Sequence, residues 1–317
     1  MADIFGALFP IFALIVVGFA CGRVQWFGQD SHHVLNGFVA NLALPVLTFH
    51  ILATMDARDL MEPVMFTVVV GAFLIVYTVH FAIESWRGQG RGEANAAAFA
   101  ASYGNHAFIG LPMCLAILGP ASLAPAAVII ALNSTILFAL GTLSAVMTSP
   151  NARVGRSRMD GVKMAVSLAS RNPLLIAALA GALVAVAALP LPQPVDKLLI
   201  TIGATTTPCA LIAVGLFMAR PVPQAGGTGA TMRSVAGKLL LLPVVTAGLL
   251  WVLPPQPTII YQTLLLIAAV PSGAGCLALA RYGGDGALRM TARIITISTI
   301  CAGLSLPILM LVMGLGA

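Results

Sequence analysis

The stretch Ser102–Gly119, SYGNHAFIGLPMCLAILG, places Asn105 and His106 inside an apolar run, with Pro112 two turns later. Hydrocarbon tolerates such groups poorly, so they are expected to face protein or a watery cavity. Asn105 lies about 18 Å of helix rise beyond Glu93, which puts it near the middle of a membrane. An amide there can donate to a carboxylate while its carbonyl accepts a freed backbone N–H. A second run, AVPSGAGCLALARYGG, repeats the theme with Pro271 followed by Ser272 and Gly273. Proline removes a backbone N–H and clashes with the preceding turn, and glycine lets the chain leave helical geometry. Both runs therefore read as broken helices. Two helix N-termini opening near mid-membrane would offer N–H groups and partial positive charge to an anion. The binding candidates are Asn105, His106, Ser272 and Gly273, with Pro112 and Pro271 as crossover points. Weaker candidates surround other prolines: Asn41 and Thr48 flank Pro45, and Thr207 precedes Pro208. His80 and Glu84, one helical turn apart, are expected to pair locally.

The elements that must hold these residues are membrane helices. Of 317 residues, 59% are hydrophobic and 8% charged, against about 25% charged in a soluble domain. The chain reads as an all-α polytopic membrane protein. Ten apolar segments fall near 4–21, 33–54, 63–84, 95–119, 122–148, 172–190, 195–219, 234–253, 258–280 and 291–314, each close to the roughly 20 residues that span a bilayer. With alternating sides, all 16 Lys and Arg except Arg58 and Lys197 fall at one face, Lys238 among them. The positive-inside rule makes that face cytoplasmic and both termini periplasmic. It also removes the nucleic-acid reading of the +6 net charge, because these basic residues mark topology. The N-terminus has no basic region before its apolar run and reads as a retained helix.

The longest polar connection lies near the middle. It divides the chain into a first five-helix repeat, 1–148, a cytoplasmic linker, 149–171, and a second repeat, 172–317. An odd number of helices per half makes the second half enter the membrane from the other side, the plan of an inverted repeat. Pro45 with Pro208 and Pro10 with Pro173 share one sequence offset, and Pro112 with Pro271 nearly matches it. No Asp or Glu is expected near the centre of a helix, which favours an organic anion over a cation pathway. The five cysteines lie in apolar runs without metal-ligand spacing, and no Ser/His/Asp or HExxH arrangement is present. No enzyme activity, cofactor or metal is expected.

The segments FVANLALPVLTFHIL, NHAFIGLPM, RNPLLIAALAG, AVGLFMA and VPSGAGCLALARYGG together resemble the auxin efflux carrier family. That family includes the plant PIN-type carriers and bacterial malonate or malate permeases. The resemblance covers nearly the whole chain. It implies ten helices in an inverted 5+5 repeat, a scaffold and a mobile transport domain, crossed fourth and ninth helices, and an elevator cycle carrying a carboxylate. It also implies that Asn105 contacts substrate and that Pro112 and Pro271 are the crossover points. The short central loop lacks the plant members' insert, and Ser272 is followed by Gly273, Ala274 and Gly275. These departures favour a small metabolite over auxin, and a bacterial inner membrane. The expected partners are a small carboxylate anion and the lipid bilayer, with no nucleic acid and homodimerisation left open. The rival readings are a sodium-coupled carrier of the bile-acid type and a membrane receptor that binds a carboxylate without moving it.

Overall fold

The computed structural model describes residues 2–28, 30–56, 63–149, 163, 166–167, 170–221 and 228–315. Most of the 149–171 linker, with Arg153, Arg156 and Arg158, lies outside them, as do Arg58, Asp59 and Glu62. Among the described residues the regular structure is helical. Seven helices are long and apolar enough to cross a membrane, and three shorter apolar helices accompany them. The chain is a polytopic membrane protein.

In chain order, α1 is Ala2–Arg23, α2 Ser31–Thr54 and α3 Pro63–Trp86. The fourth helix has two pieces, α4a (Arg91–Ser102) and α4b (His106–Leu118). Next come α5 (Pro120–Thr148), α6 (Pro173–Val186), α7 (Gln193–Met218) and α8 (Thr228–Val252). The ninth is again divided, into α9a (Thr258–Ala269) and α9b (Gly275–Ala280), before α10 (Asp285–Val312). Trp26, Trp86 and Trp251 stand exposed at the ends of α1, α3 and α8, where amphipathic rings favour the interface of a bilayer. Gly119 joins α4b to α5 and Gly284 joins α9b to α10. Their backbones are nearly identical, φ 76 ψ −173 and φ 88 ψ −177. Only glycine adopts that region without strain, so both reversals need the residue they have.

The helices accommodate their prolines in different ways. Leu44-Pro45, Leu111-Pro112 and Leu242-Pro243 each follow directly on a five-residue π turn: Val39–Ala43, His106–Gly110 and Gly237–Leu241. Each proline falls at the first or second position of the α-helical stretch that continues the helix. A proline ring collides with the carbonyl four residues back. Widening the preceding turn to the i→i+5 pattern relieves that collision without ending the helix. These prolines therefore make bulges. In α7 the helix instead kinks at Thr205, shortly before Pro208. Only Pro271 stands in a true interruption, between Ala269 and Gly275.

Packing sorts the helices into two groups. One is built on α1 against α7 and α6 against α2, with α7 also against α2. The other gathers α3, α5, α8, α9 and α10 around α4a. Every residue of α4a from Gly92 to Ser102 except Glu93 is buried. Its sequence, RGEANAAAFAAS, explains why. Small side chains let neighbouring backbones come close where lipid offers no hydrophobic drive. The first group uses glycine in the same way. A Cβ at Gly18 would collide with the backbone of Ile212, and one at Gly181 with the backbone of Phe49.

Candidate functional site

The two interruptions meet. Gly104 and Ser272 form an antiparallel bridge, the only one among the described residues. The Asn105 N–H donates to the Pro271 carbonyl at 2.8 Å, and the Gly273 N–H to the Tyr103 carbonyl at 3.1 Å. The Ser272 N–H donates to Ser298 Oγ on α10 at 3.1 Å, and its hydroxyl to the Ala100 carbonyl on α4a at 2.7 Å. Two broken segments in a membrane interior thus satisfy much of each other's backbone, as a lipid environment demands.

This geometry corrects two sequence expectations and adds to a third. The break in the fourth helix lies at Tyr103–Asn105, not at Pro112, which sits within the continuous run His106–Leu118. The pair that meets across the two halves is Gly104 with Ser272, so Pro112 is not the counterpart of Pro271. Ser272 and Gly273, expected to face substrate, have a structural task at the crossing. The N–H groups of both and the Ser272 hydroxyl hydrogen hold the crossing together. The second helix N-terminus is also slight, since α9b has 6 residues.

Asn105 remains. It is buried at the first position before α4b, its carbonyl accepts from the N–H groups of Ile109 and Gly110, and its side chain does not cap the helix. His106 next to it is buried, and neither ring nitrogen is hydrogen-bonded among the described residues. A buried polar atom without a partner is rare and carries a cost. His106 lines a narrow cleft with a volume of about 30 Å³, shared with Ser102 and Thr246 and walled by Phe73, Ile129 and Ala268. The hydroxyls of Ser102 and Thr246 already donate to the Ala98 and Leu242 carbonyls. His106 is therefore the uncommitted polar side chain of an otherwise apolar wall, the composition of a small-molecule site.

Asn105 adjoins this cleft through His106 without lining it, and the weaker candidates do not join it. Asn41 is exposed on the π turn of α2, Thr48 is buried further along it beside buried Pro45, and Thr207 and Pro208 are half-buried on α7. The second half of α7 does pack on the His106–Gly110 turn, and Thr206 there is buried with its hydroxyl unpartnered.

Two charged groups have surroundings that the sequence did not show. Glu84 pairs with His80 as expected and has a second partner. Arg233 of α8 binds both its oxygens, Nε to Oε1 and Nη2 to Oε2, each at 2.6 Å. The His80 ring lies 3.6 Å from Glu84 and within hydrogen-bond reach of Ser234 Oγ, at 3.1 Å. As a topology signal, Lys238 would stand near the end of a segment starting at 234. The helix starts instead at Thr228, and Lys238 is wholly buried within it. Its Nζ donates to the Ala268 carbonyl at 2.6 Å. A Cβ at Gly104 would meet the His106 ring and, at 3.0 Å, Lys238 Cε. Glycine at the crossing thus makes room for both side chains.

The model of a family described as "Membrane transport protein" matches residues 3–310. A protein of Rhizobium meliloti (strain 1021) named "Putative malonate transporter" is 28% identical over 300 residues, covering 93% of this chain and 91% of its own.

Proposed function

Because the chain belongs to the membrane transport protein family, the auxin efflux carriers, we propose that it carries a small organic carboxylate, malonate first among candidates, by an elevator-type cycle. The observation that carries this reading is the crossing of α4 and α9 beside a cleft whose free polar group is His106. Asn105 and His106, with the opening turn of α4b, receive the carboxylate. The N-terminus of the helix His106–Leu118 supports an anion through its free N–H groups and dipole. The relative's name supports malonate.

The architecture of the proposal is two inverted five-helix repeats, 1–148 and 172–317, joined by a cytoplasmic linker over 149–171. Packing supports it. Gly18 of α1 lies on Ile212 of α7, and Gly181 of α6 lies on Phe49 of α2. The step from 18 to 181 equals the step from 49 to 212, and both equal the step from Pro45 to Pro208. One contact is thus repeated with the roles of the halves exchanged, as an inverted repeat requires. The group α1, α2, α6 and α7 serves as scaffold. The group around α4a moves as one body and carries the crossing past it. The protein resides in a bacterial inner membrane with both termini periplasmic.

The test is counterflow. Proteoliposomes loaded with unlabelled malonate are expected to accumulate labelled malonate from outside. Exchange of acetate or malate but not malonate would correct the substrate. No exchange of any of the three would overturn carboxylate transport. Exchange that requires sodium would favour the bile-acid type of cycle.

A further inference from the structure

Lys238 lies in the first half of the 25 residues of α8, in the interior of the helix group that holds the crossing. It is wholly buried, and among the described residues its one hydrogen bond is to a backbone carbonyl, that of Ala268. Among the described residues no carboxylate pairs with it: Glu84 is held by Arg233, earlier on the same helix. The titratable groups around it come from three other helices. His106 of α4b and Cys276 of α9b interact with it electrostatically. Tyr103 lies beside His106, and His80 of α3 approaches Gly237, the residue before Lys238. Ala268, which accepts the Lys238 hydrogen bond, lines the same cleft as His106 and Leu242. The ammonium therefore sits immediately behind the cleft wall.

We infer that Lys238 is the counter-cation of the transported carboxylate and takes up a proton as the anion enters. The inference rests on the carboxylate reading of the cleft. An ammonium buried with a single carbonyl acceptor is poorly compensated, whereas the neutral amine is not. An incoming carboxylate reverses the balance, because it supplies the charge that no side chain supplies. Protonation of Lys238 and anion binding then favour each other by equal factors. The proton passes from water on the entry side to the Nζ lone pair and returns to water on the side where the anion leaves. The ammonium cancels one negative charge, so a monocarboxylate crosses the low-dielectric interior with no net charge and a dicarboxylate such as malonate with one charge fewer, which lowers the cost of moving the ion. Glycine at 104 is part of the arrangement, since any Cβ there would obstruct the His106 ring and the Lys238 stem.

Purified full-length protein, weakly buffered with an indicator dye, is titrated with acetate, malonate, malate and benzoate in turn. Binding is followed by melting temperature. At least one anion is expected to bind with uptake of about one proton per anion, and with affinity that falls as pH rises between about pH 6 and 9. Lys238→Met should keep the wild-type melting temperature and lose proton uptake, with anion affinity at least about tenfold weaker. His106→Gln should bind more weakly but keep the proton uptake per anion bound, which separates imidazole from amine. The wild-type titration decides the matter even if Lys238→Met does not fold. Anion binding without proton uptake throughout that range, or Lys238→Met retaining uptake, overturns this inference and leaves carboxylate transport standing. A wild-type protein that binds none of the four anions overturns both.

Discussion

Arg233 and Lys238 lie on one helix, little more than a turn apart, and the protein treats them in opposite ways. Arg233 is matched by a fully buried carboxylate through two hydrogen bonds, and its own side chain remains 30% exposed. Lys238 is wholly buried and matched by one peptide carbonyl. The first arrangement is closed: fork and carboxylate meet in the geometry that best repays desolvation. The second has no side-chain counter-charge among the described residues. A buried cation held in this way adds little to stability, and its position beside the crossing is where an anion needs it. The difference separates groups that hold the helices together from groups kept available for a ligand.

The largest effect should come from breaking the closed pair. Arg233→Ala leaves the Glu84 carboxylate buried without its partner and should cost about 3–5 kcal/mol. A much lower melting temperature in detergent, with poor recovery of folded protein, is the expected reading. Lys238→Met replaces a buried amine, uncharged until an anion enters, with an apolar chain of similar length. Stability should hold to within about 1 kcal/mol, the worth of its one hydrogen bond, while malonate counterflow is lost. If Lys238→Met melts as early as Arg233→Ala, Lys238 is structural and the contrast fails.

The crossing offers the same comparison on a smaller scale. Asn105→Ala removes a side chain with no hydrogen bond among the described residues. It should weaken anion binding about 5- to 150-fold, equivalent to about 1–3 kcal/mol, with little change in melting temperature. Ser272→Ala removes a hydroxyl already bound to Ala100. It should lower stability by about 1 kcal/mol and leave affinity per folded molecule nearly intact. Thermal melts and isothermal titration on the two variants would show whether these roles are reversed. The smallest effect belongs to Pro112→Ala. The helix is already continuous there, so stability and affinity should each change by less than about 1 kcal/mol, the worth of a single net hydrogen bond. A large loss of binding in Pro112→Ala alone would restore that proline to the site.

Much of the scaffold was legible in advance. Apolar runs of bilayer length marked the helices, and polar companions marked Asn105 and His106 as unusual for a membrane interior. The errors have physical causes. The run before Ser234 contains Thr228, Thr231 and Arg233 and reads as a loop, but Glu84 neutralises Arg233 from α3. The pair lets the helix begin early, at Thr228 rather than 234, and carries Lys238 from a helix end into the interior. Proline chemistry misleads in a similar way. Pro112 removes an N–H as surely as Pro271 does, yet a π turn absorbs one and a break accommodates the other.

Composition by itself determined that this chain lives in a membrane, and the length of its apolar runs set how many segments could be helical, because hydrocarbon allows few backbone conformations. Which interruption became a true break was decided only in three dimensions. Tyr103–Asn105 can leave the helix because Pro271–Gly273, in the opposite half of the chain, supplies the missing hydrogen bonds. Likewise, nothing local distinguishes Arg233 from Lys238. Whether a buried charge is compensated depends on which distant side chain folds against it, and only the folded protein places Glu84 beside one cation and leaves the other without a carboxylate.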